Sequence, residues 1–279
     1  MRRRTSILHK VGIALILLWT LIPIYWAINS SFQTEAEEGS RPAHYLPLPV
    51  FTLNNYGQLL RGGDAFSHEI LQTMLNSVIE SGFATIGIVL VATLSGYAFA
   101  RLSFRGRPLL FYTVLATMAI PVYALIIPVY RLFADIGLVN TYAGIVLVYI
   151  SGLMPLGTWV MHHYFNSLPA NIEEAGCVDG ANRLQVLWHL MLPLSRPGII
   201  STAIMSFLFS WAAFFFPLVL STGLSTEPLS VAIPALQTRY TVPYTLLEAA
   251  GVLAIAIPAV VVLALNRYIV SGLLAGNAK

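Results

Sequence analysis

Six long, mainly apolar stretches of the chain contain no Asp, Glu, Lys or Arg, and they constrain the fold more than any other feature. They cover residues 11–34, 81–100, 108–130, 136–172, 197–226 and 249–266. A helix needs about 20 mainly apolar residues to cross a bilayer, and a charge at the bilayer centre is costly. Each stretch is long enough to cross, so the sequence predicts six transmembrane helices.

The composition agrees with a helical membrane protein. Hydrophobic residues make up 57% of the chain and charged residues only 10%, whereas soluble domains carry about 25% charged residues. The alternation of period two that is typical of a membrane β-barrel is absent. Prolines inside the stretches are compatible with membrane helices when neighbours satisfy the freed carbonyl. We therefore predict an all-α membrane protein whose later spans lie near 73–99, 108–131, 140–164, 197–221 and 245–270.

The distribution of basic residues predicts the orientation. With the N-terminus in the cytoplasm, 11 of the 15 Lys and Arg residues lie on the cytoplasmic side and 4 on the other. Loops on the cytoplasmic side of membrane proteins carry an excess of Lys and Arg. We expect one transmembrane domain over 1–279 with both termini cytoplasmic, an extracytoplasmic loop at about 31–72, and a cytoplasmic loop at about 166–196.

The cytoplasmic loop begins with signals for a short helix. Asn166 or Ser167 can cap a helix that starts at Leu168, and proline, which follows at 169, is favoured at the first helical position. Two acidic residues, Glu173 and Glu174, come early in this helix. The pattern predicts a first helix that begins directly after the fourth span.

A glycine turn and a second helix follow. Gly180 permits the positive φ that ends a helix and reverses the chain. Asn182 can start the second helix, with Leu184, Leu187 and Leu190 or Met191 facing inward, and Pro193 is expected to stop it. The prediction is a helix–turn–helix that projects from the membrane, here called the foot; a folded linker without paired helices is the alternative.

Motifs for chemistry are few. The sequence has no G-x-x-x-x-G-K-[ST] P-loop, no G-x-S-x-G and no H-E-x-x-H. His162 and His163 are adjacent at the inner end of the fourth span and point in different directions, which favours an interfacial pair over a metal site. A membrane-embedded enzyme or scaffold is therefore disfavoured, because no catalytic group is assembled.

Two acidic residues, Glu80 and Glu248, lie in apolar surroundings near the outer surface. An ionisable group inside a membrane is a functional candidate, although here it can also be hydrated or support packing. An ion-coupled secondary transporter, the alternative function, would place such groups nearer the midplane with a partner, and the sequence disfavours it.

The foot carries a known motif. The pattern E-A-A-x3-G-x9-I-x-L-P falls with its spacing intact on Glu174, Ala175, Gly176, Gly180, Leu190, Leu192 and Pro193. Five of these positions match, while Gly176 replaces the second alanine and Leu190 replaces isoleucine. The stretch resembles the cytoplasmic "EAA" loop of permease subunits from binding-protein-dependent ABC importers.

Other segments are similar to the maltose-type, carbohydrate branch of these permeases. They are "LNNYGQLL", "GYAFARLSFRGR", "NRYIVSGLLAGNAK" and "WAAFFFPLVL". The last resembles a W-N-x-F-x-x-P-L pattern, with Ala212 where asparagine is usual. The resemblance implies a type I ABC importer permease fold with six spans and a coupling helix–turn–helix, in a bacterial plasma (inner) membrane.

The resemblance also implies a division of labour. This chain would be a non-catalytic permease without a cofactor of its own, and a separate ABC ATPase dimer would bind ATP and Mg²⁺. The further partners would be a second homologous permease, an extracytoplasmic solute-binding protein, a sugar and membrane lipid, without nucleic acid. The expected ATPase-coupling residues are Glu173, Glu174, Ala175, Gly176, Asp179, Gly180, Leu192 and Pro193. The candidates for the substrate path are Glu80, Trp211, Phe214, Phe215 and Glu248.

Overall fold

A computed structural model of the chain describes residues 7–38, 51–61, 63–239 and 243–276. Residues 39–50 of the predicted extracytoplasmic loop, and the last three residues of the chain, lie outside this description. The described residues contain helices and no strand. The helices are α1 (Ile7–Ser31), α2 (Glu35–Glu38), α3 (Asn54–Arg61), α4 (Ala65–Arg101), α5 (Arg107–Ala116), α6 (Val122–Asp135), α7 (Tyr142–Ser167), α8 (Asn171–Val178), α9 (Arg183–Val186), α10 (Leu192–Leu194), α11 (Arg196–Trp211), α12 (Phe215–Leu220), α13 (Leu229–Arg239) and α14 (Tyr244–Gly276), with a 3₁₀ turn at Thr117–Ala119 and a π-helical turn at Leu187–Met191.

The long helices are apolar enough to cross a membrane. In the part of the chain that the structure describes, four qualify alone by length and composition, in α1, α4, α7 and α14. Two further pairs qualify when each bent pair is counted as one span: Arg107–Ala119 with Val122–Asp135, and Arg183–Leu194 with Arg196–Trp211. The prediction of an all-α membrane protein with six spans is confirmed on that count, but two of the six are bent.

The third span is broken where the sequence predicts a continuous helix over 108–131. The helix axis bends by 99° between the two pieces. Pro121, which precedes α6, has φ −62° and ψ 126°, and Ile120 is extended as well. The residue before a proline is driven out of the helical region by the proline ring, so the prediction of one straight helix was wrong here.

The fifth span also differs from the predicted helix over 197–221. α11 ends at Trp211, and α12 begins only at Phe215. Pro217 would clash with the carbonyl of Ala213 in a continuous helix. That carbonyl instead accepts a hydrogen bond from the Ser230 hydroxyl at 2.6 Å. The carbonyl freed by the break therefore has a hydrogen-bond donor, and this donor lies 17 residues further along the chain.

The chain divides into two compact units. The first comprises Met1–Leu71 with Ala232–Ala256, and the second comprises Gln72–Val231 with Ile257–Lys279. In the first unit, the Tyr56 hydroxyl of α3 lies 2.7 Å from the Ser31 hydroxyl, and the Asn55 amide donates to the carbonyls of Ser31 and Gln33. These bonds hold α3 against the end of α1. The assignment of 1–279 to a single domain stays a prediction.

Two apolar clusters lie within the described residues of the second unit. One joins α4 and α7 with α12. The other runs from α4 and α7 into the foot and comprises Ala92, Tyr97, Met161, Phe165, Val186, Leu187 and Met191. Close approach of the helices depends on small residues: a Cβ at Gly96 would lie 2.6 Å from the Cβ of Met161. The foot is thus packed onto the same helices that form the membrane-spanning core.

Candidate functional site

The foot begins later than the sequence predicts. α7 continues through Ser167, whose hydroxyl donates to the Tyr164 carbonyl at 2.7 Å, and Asn166 contacts the ring of His162. Leu168 then adopts extended angles, as expected before a proline. α8 starts at Asn171 with no side-chain cap. The predicted caps Asn166 and Ser167 were therefore wrong, because both belong to the last turn of α7.

The later start places acidic residues in the first turn of α8. Glu173 and Glu174 both lie there, where the helix dipole favours negative charge. The Glu174 side chain is exposed, whereas that of Glu173 is only 16% exposed. Two adjacent carboxylates thus have different surroundings: one faces outward and the other faces the body of the protein.

The turn of the foot has the predicted glycine geometry. Gly180 has φ 87°, a value that glycine adopts without steric cost. The Ala181 N–H donates to the Gly176 carbonyl at 3.0 Å and the Gly180 N–H to the Cys177 carbonyl at 3.1 Å. This pair of bonds is the Schellman motif, which satisfies the last carbonyls of a helix.

The second helix of the foot starts where predicted, at a complete capping box. The Asn182 side chain accepts from the Gln185 N–H at 2.9 Å, and the Gln185 side chain accepts from the Asn182 N–H at 2.8 Å. The two bonds satisfy donors that the helix itself leaves free. A turn fixed at both ends gives the tip of the foot a defined shape.

The end of this helix departs from the sequence prediction. Pro193 was expected to stop the helix, but it lies within α10, and the chain bends by 73° only at Ser195 before α11. A π-helical turn at Leu187–Met191 precedes it. The wider turn changes the register, so Leu187 and Met191 are buried while Leu184 is 66% exposed. The prediction that Leu184 faces inward was therefore wrong.

Gly176 is the contact point of the two foot helices. A Cβ built on it would lie 2.7 Å from Cδ1 of Leu190 and 3.3 Å from Cγ2 of Val186. Gly176 and Leu190 are also the two positions that depart from the motif. The absent side chain at Gly176 leaves the space that Cδ1 of Leu190 occupies, so the two departures from the motif lie in direct contact.

The eight predicted coupling residues fall into three groups by exposure. The exposed ones are Glu174, Ala175, Asp179, Gly180 and Pro193; Glu173 and Leu192 are half-buried, and Gly176 is buried. A hollow of about 440 Å³ opens beside the turn, lined by Gly176, Asp179, Gly180, Ala181, Gln185, His189 and Leu190. The tip therefore presents both a protruding acidic helix and an adjoining hollow to a binding partner.

Arg101 is a residue of the site that sequence reasoning missed. It is the last residue of α4, and its Nε lies 3.3 Å from Oε1 of Glu173. Burial raises the pKa of Glu173, while the guanidinium groups of Arg101 and Arg183 act in the opposite direction. The partners are 72 positions apart, so no local spacing in the sequence could have paired them.

The substrate-path candidates are only partly brought together. Phe214 and Phe215 line an apolar hollow of about 240 Å³ together with Tyr149 and Phe209. Trp211 does not line it, and its ring stacks on Phe207 with centroids 5.8 Å apart. Phe214 and Phe215 thus share one aromatic hollow, and the place of the three aromatic candidates in a substrate path stays a prediction.

The two acidic candidates have different surroundings. Glu80 of α4 is fully buried, and neither carboxylate oxygen has a hydrogen-bond partner in the described part of the chain. Glu248 lies on α14 in the first unit and is half-buried. Neither lines the aromatic hollow. Their place in a substrate path stays a prediction.

The histidine pair packs as aromatic side chains. His162 lies against Phe111 with ring centroids 4.2 Å apart, and His163 lies against Trp159 at 4.7 Å. Within the described residues, no group of three or more His, Cys, Asp or Glu side chains is placed to hold a metal ion.

Comparison with known sequences gives consistent matches over most of the chain. Residues 88–274 match the family described as binding-protein-dependent transport system inner membrane component. The osmoprotective compounds uptake permease protein GgtD of Synechocystis sp. is 35% identical over 85% of this chain and 78% of its own length. The trehalose/maltose transport system permease protein MalG of Thermococcus litoralis is 31% identical over 98% of this chain and 96% of its own.

The fold is also found in solved structures. A chain of a bacterial ABC transporter involved in the import of the acidic polysaccharide alginate superposes with a TM-score of 0.78, at 24% identity and with 94% of each chain covered. The MetNI methionine ABC transporter gives a TM-score of 0.53 at 16% identity, covering 80% of this chain and 99% of that chain.

Proposed function

Since this chain belongs to the family of binding-protein-dependent transport system inner membrane components and has the type I importer permease fold, we propose that its foot couples it to a separate ATPase. The chain is the transmembrane subunit of an ATP-driven importer and forms one half of the translocation path. The observation that supports coupling through the foot is the shape of its tip: a Schellman turn, a capping box and the exposed Glu174.

ATP and Mg²⁺ would bind on the partner ATPase, because this chain has no P-loop. Glu174, Ala175, Asp179, Gly180 and Pro193 are exposed and would contact the ATPase directly. Glu173, Gly176 and Leu192 would act by holding the shape of the foot. Closure of two ATPase subunits would then move two feet, one from each of two related permeases.

The solute is proposed to be a sugar or a sugar-like compound. Relatives named for trehalose/maltose, diacetylchitobiose and trehalose transport are 30–32% identical over 91–98% of this chain. The aromatic hollow formed by Tyr149, Phe209, Phe214 and Phe215 supports this class, since aromatic rings stack on the apolar faces of sugars. An extracytoplasmic binding protein would deliver the solute to the outer end of the path.

The orientation and location follow from the same proposal. Both termini and the foot would lie in the cytoplasm, in agreement with the excess of Lys and Arg on that side. The chain would lie in a bacterial inner membrane. Its extracytoplasmic loop at about 31–72 would then face the solute-binding protein.

Co-purification of the tagged chain in its native host tests the proposal. The expected result is recovery of an ABC ATPase and of a second permease in near-stoichiometric amounts. The control is the same purification with the tag on an unrelated six-span membrane protein. A solute-binding protein should be recovered when the candidate sugars are added. Recovery of the chain alone, with uptake that depends on an ion gradient and not on ATP, would contradict it.

A further inference from the structure

One guanidinium group joins three helices at the base of the foot. Nη2 of Arg101, the last residue of α4, donates to the carbonyl of Phe165 and to the carbonyl of Leu168, each at 2.6 Å. Both carbonyls belong to the end of α7, where a helix leaves its last carbonyls without partners. Arg101 thus completes the end of α7 with a charged donor.

The same side chain reaches the first helix of the foot. Its Nε lies 3.3 Å from Oε1 of Glu173 in α8, as an ion pair without hydrogen-bond geometry. The side chains are 12% and 16% exposed, respectively. α4, α7 and α8 therefore meet at one charged group that is largely shielded from solvent.

The ion pair is better suited to positioning than to stabilising. The surroundings of Glu173 raise its pKa, because desolvation outweighs the attraction of Arg101 and Arg183. A partly buried pair of this kind adds little net stability but fixes where its members lie. Arginine also suits this place better than lysine, because its planar group carries five donors in fixed directions.

Apolar packing reinforces the same junction. Tyr97, one turn before Arg101 on α4, packs edge-on against Phe165 with ring centroids 5.5 Å apart. Both belong to the cluster that continues into Val186, Leu187 and Met191 of the foot. The foot is therefore connected to the ends of α4 and α7 by a polar contact above a continuous apolar cluster.

We propose that Arg101 is a positioning residue that fixes the foot to the ends of α4 and α7, so that a displacement of the foot moves these two helices with it. This inference rests on the proposed coupling of the foot to an ATPase. It assigns Glu173 to the internal contact with Arg101 and leaves the contact with the ATPase to Glu174. Arg101 touches neither the solute nor ATP, and it acts through the geometry of the foot.

The test measures whether the foot and α4 move together in the assembled transporter. Cys177 of α8 is exposed and is the only cysteine of the chain, so one nitroxide can be placed there. A second is placed at Ser103→Cys, in the exposed segment directly after α4. Distances between the two labels are measured by pulsed EPR without nucleotide and after trapping with Mg-ATP and vanadate.

The expected results distinguish Arg101 from its neighbours. In the otherwise unchanged chain, the distance distribution is narrow and keeps its mean on trapping. Arg101→Ala should broaden it at least twofold and shift the mean on trapping, with the ATPase still bound. Glu173→Gln, which keeps the two carbonyl bonds, should have a smaller effect, and Arg101→Lys should restore part of the coupling. Arg105→Ala, an exposed arginine in the following loop, is the matched control and should behave as wild type.

Amide hydrogen exchange of unlabelled complexes gives a second readout. Exchange across 168–178 should be at least tenfold faster in Arg101→Ala and unchanged in Arg105→Ala. A narrow, unshifted distribution and normal exchange in Arg101→Ala, with the ATPase still bound, would overturn the inference. Loss of nucleotide trapping or of the ATPase in the unsubstituted chain would instead overturn the proposed function, so the two failures are distinguishable.

Discussion

Gly176→Ala tests whether the two departures from the motif depend on each other. The new Cβ would lie 2.7 Å from Cδ1 of Leu190, about 1 Å closer than the usual carbon–carbon contact. Overpacking of this kind costs about 1–3 kcal/mol. We take about 2 kcal/mol, because Cδ1 of Leu190 ends a flexible side chain but Cγ2 of the buried Val186 also lies 3.3 Å from the new Cβ. Alanine in a helix gains about 1 kcal/mol over glycine, so we expect a net destabilisation of the foot by about 1 kcal/mol.

The second substitution should reverse the sign of the first. In a Leu190→Val background the side chain has no Cδ atom to occupy the space beside residue 176, so most of the overpacking cost disappears and the gain in helix propensity remains. Gly176→Ala should then stabilise the foot by about 0.5–1 kcal/mol. Leu190→Val alone should cost about 0.5–1.5 kcal/mol, because one partly buried methylene is lost.

Amide hydrogen exchange over α8 and α9 is the appropriate assay, because it reports the local opening of the foot and not the unfolding of the whole protein. A change of about 1 kcal/mol corresponds to an approximately fivefold change in exchange rate. Gly57→Ala in α3, where a Cβ meets no atom within 4 Å, is the matched control and should slow exchange locally. If Gly176→Ala changed the rate equally in both backgrounds, to within about 0.5 kcal/mol, Leu190 would not be what makes glycine necessary.

Two further predictions concern the foot. Burial raises the pKa of Glu173 above its usual value of 4.5. Between that value and the raised pKa, the folded foot therefore binds more protons than the unfolded chain. The stability of the foot should then fall as pH rises through this window. The melting temperature of Glu173→Gln relative to wild type should therefore rise from about pH 4 to about pH 7, and a difference independent of pH would contradict this. Asn182→Ala removes the capping box and should destabilise the second foot helix by about 1 kcal/mol, seen as an approximately fivefold faster exchange over 183–186; Asn182→Asp should retain most of the protection, and equal exchange in both variants would count against the cap.

The sequence predicts the spans well because charge-free length is a local property. It does not predict which prolines break a helix. Pro155 and Pro258 lie inside continuous helices, whereas Pro121 and Pro217 mark breaks. The difference depends on neighbours that are distant in sequence, as the bond from the Ser230 hydroxyl to the Ala213 carbonyl shows.

The turn of the foot was predictable because its signals are local in the sequence. Gly180 and Asn182 act within a few residues of themselves, and the Asn-x-x-Gln spacing of the capping box was also readable from the sequence. The roles of Arg101 and Leu190 were not readable, because each contacts residues in a different helix. The π-helical turn packs against α4 and α7 and likewise has no local signal in the sequence. Nothing in the sequence therefore indicated that Leu184 lies on the outer side.

If an ATPase binds at the tip of the foot, Gly180→Arg should prevent that binding. Gly180 has φ 87° with open space around it, and Gly137 has φ 72° with equally open space in the loop between α6 and α7. Arginine strains the backbone equally at both positions, but only Gly180 lies in the foot. We expect Gly180→Arg to retain the second permease and lose the ATPase, and Gly137→Arg to retain both. Equal recovery of the ATPase by the two variants would show that the ATPase does not bind at the tip of the foot.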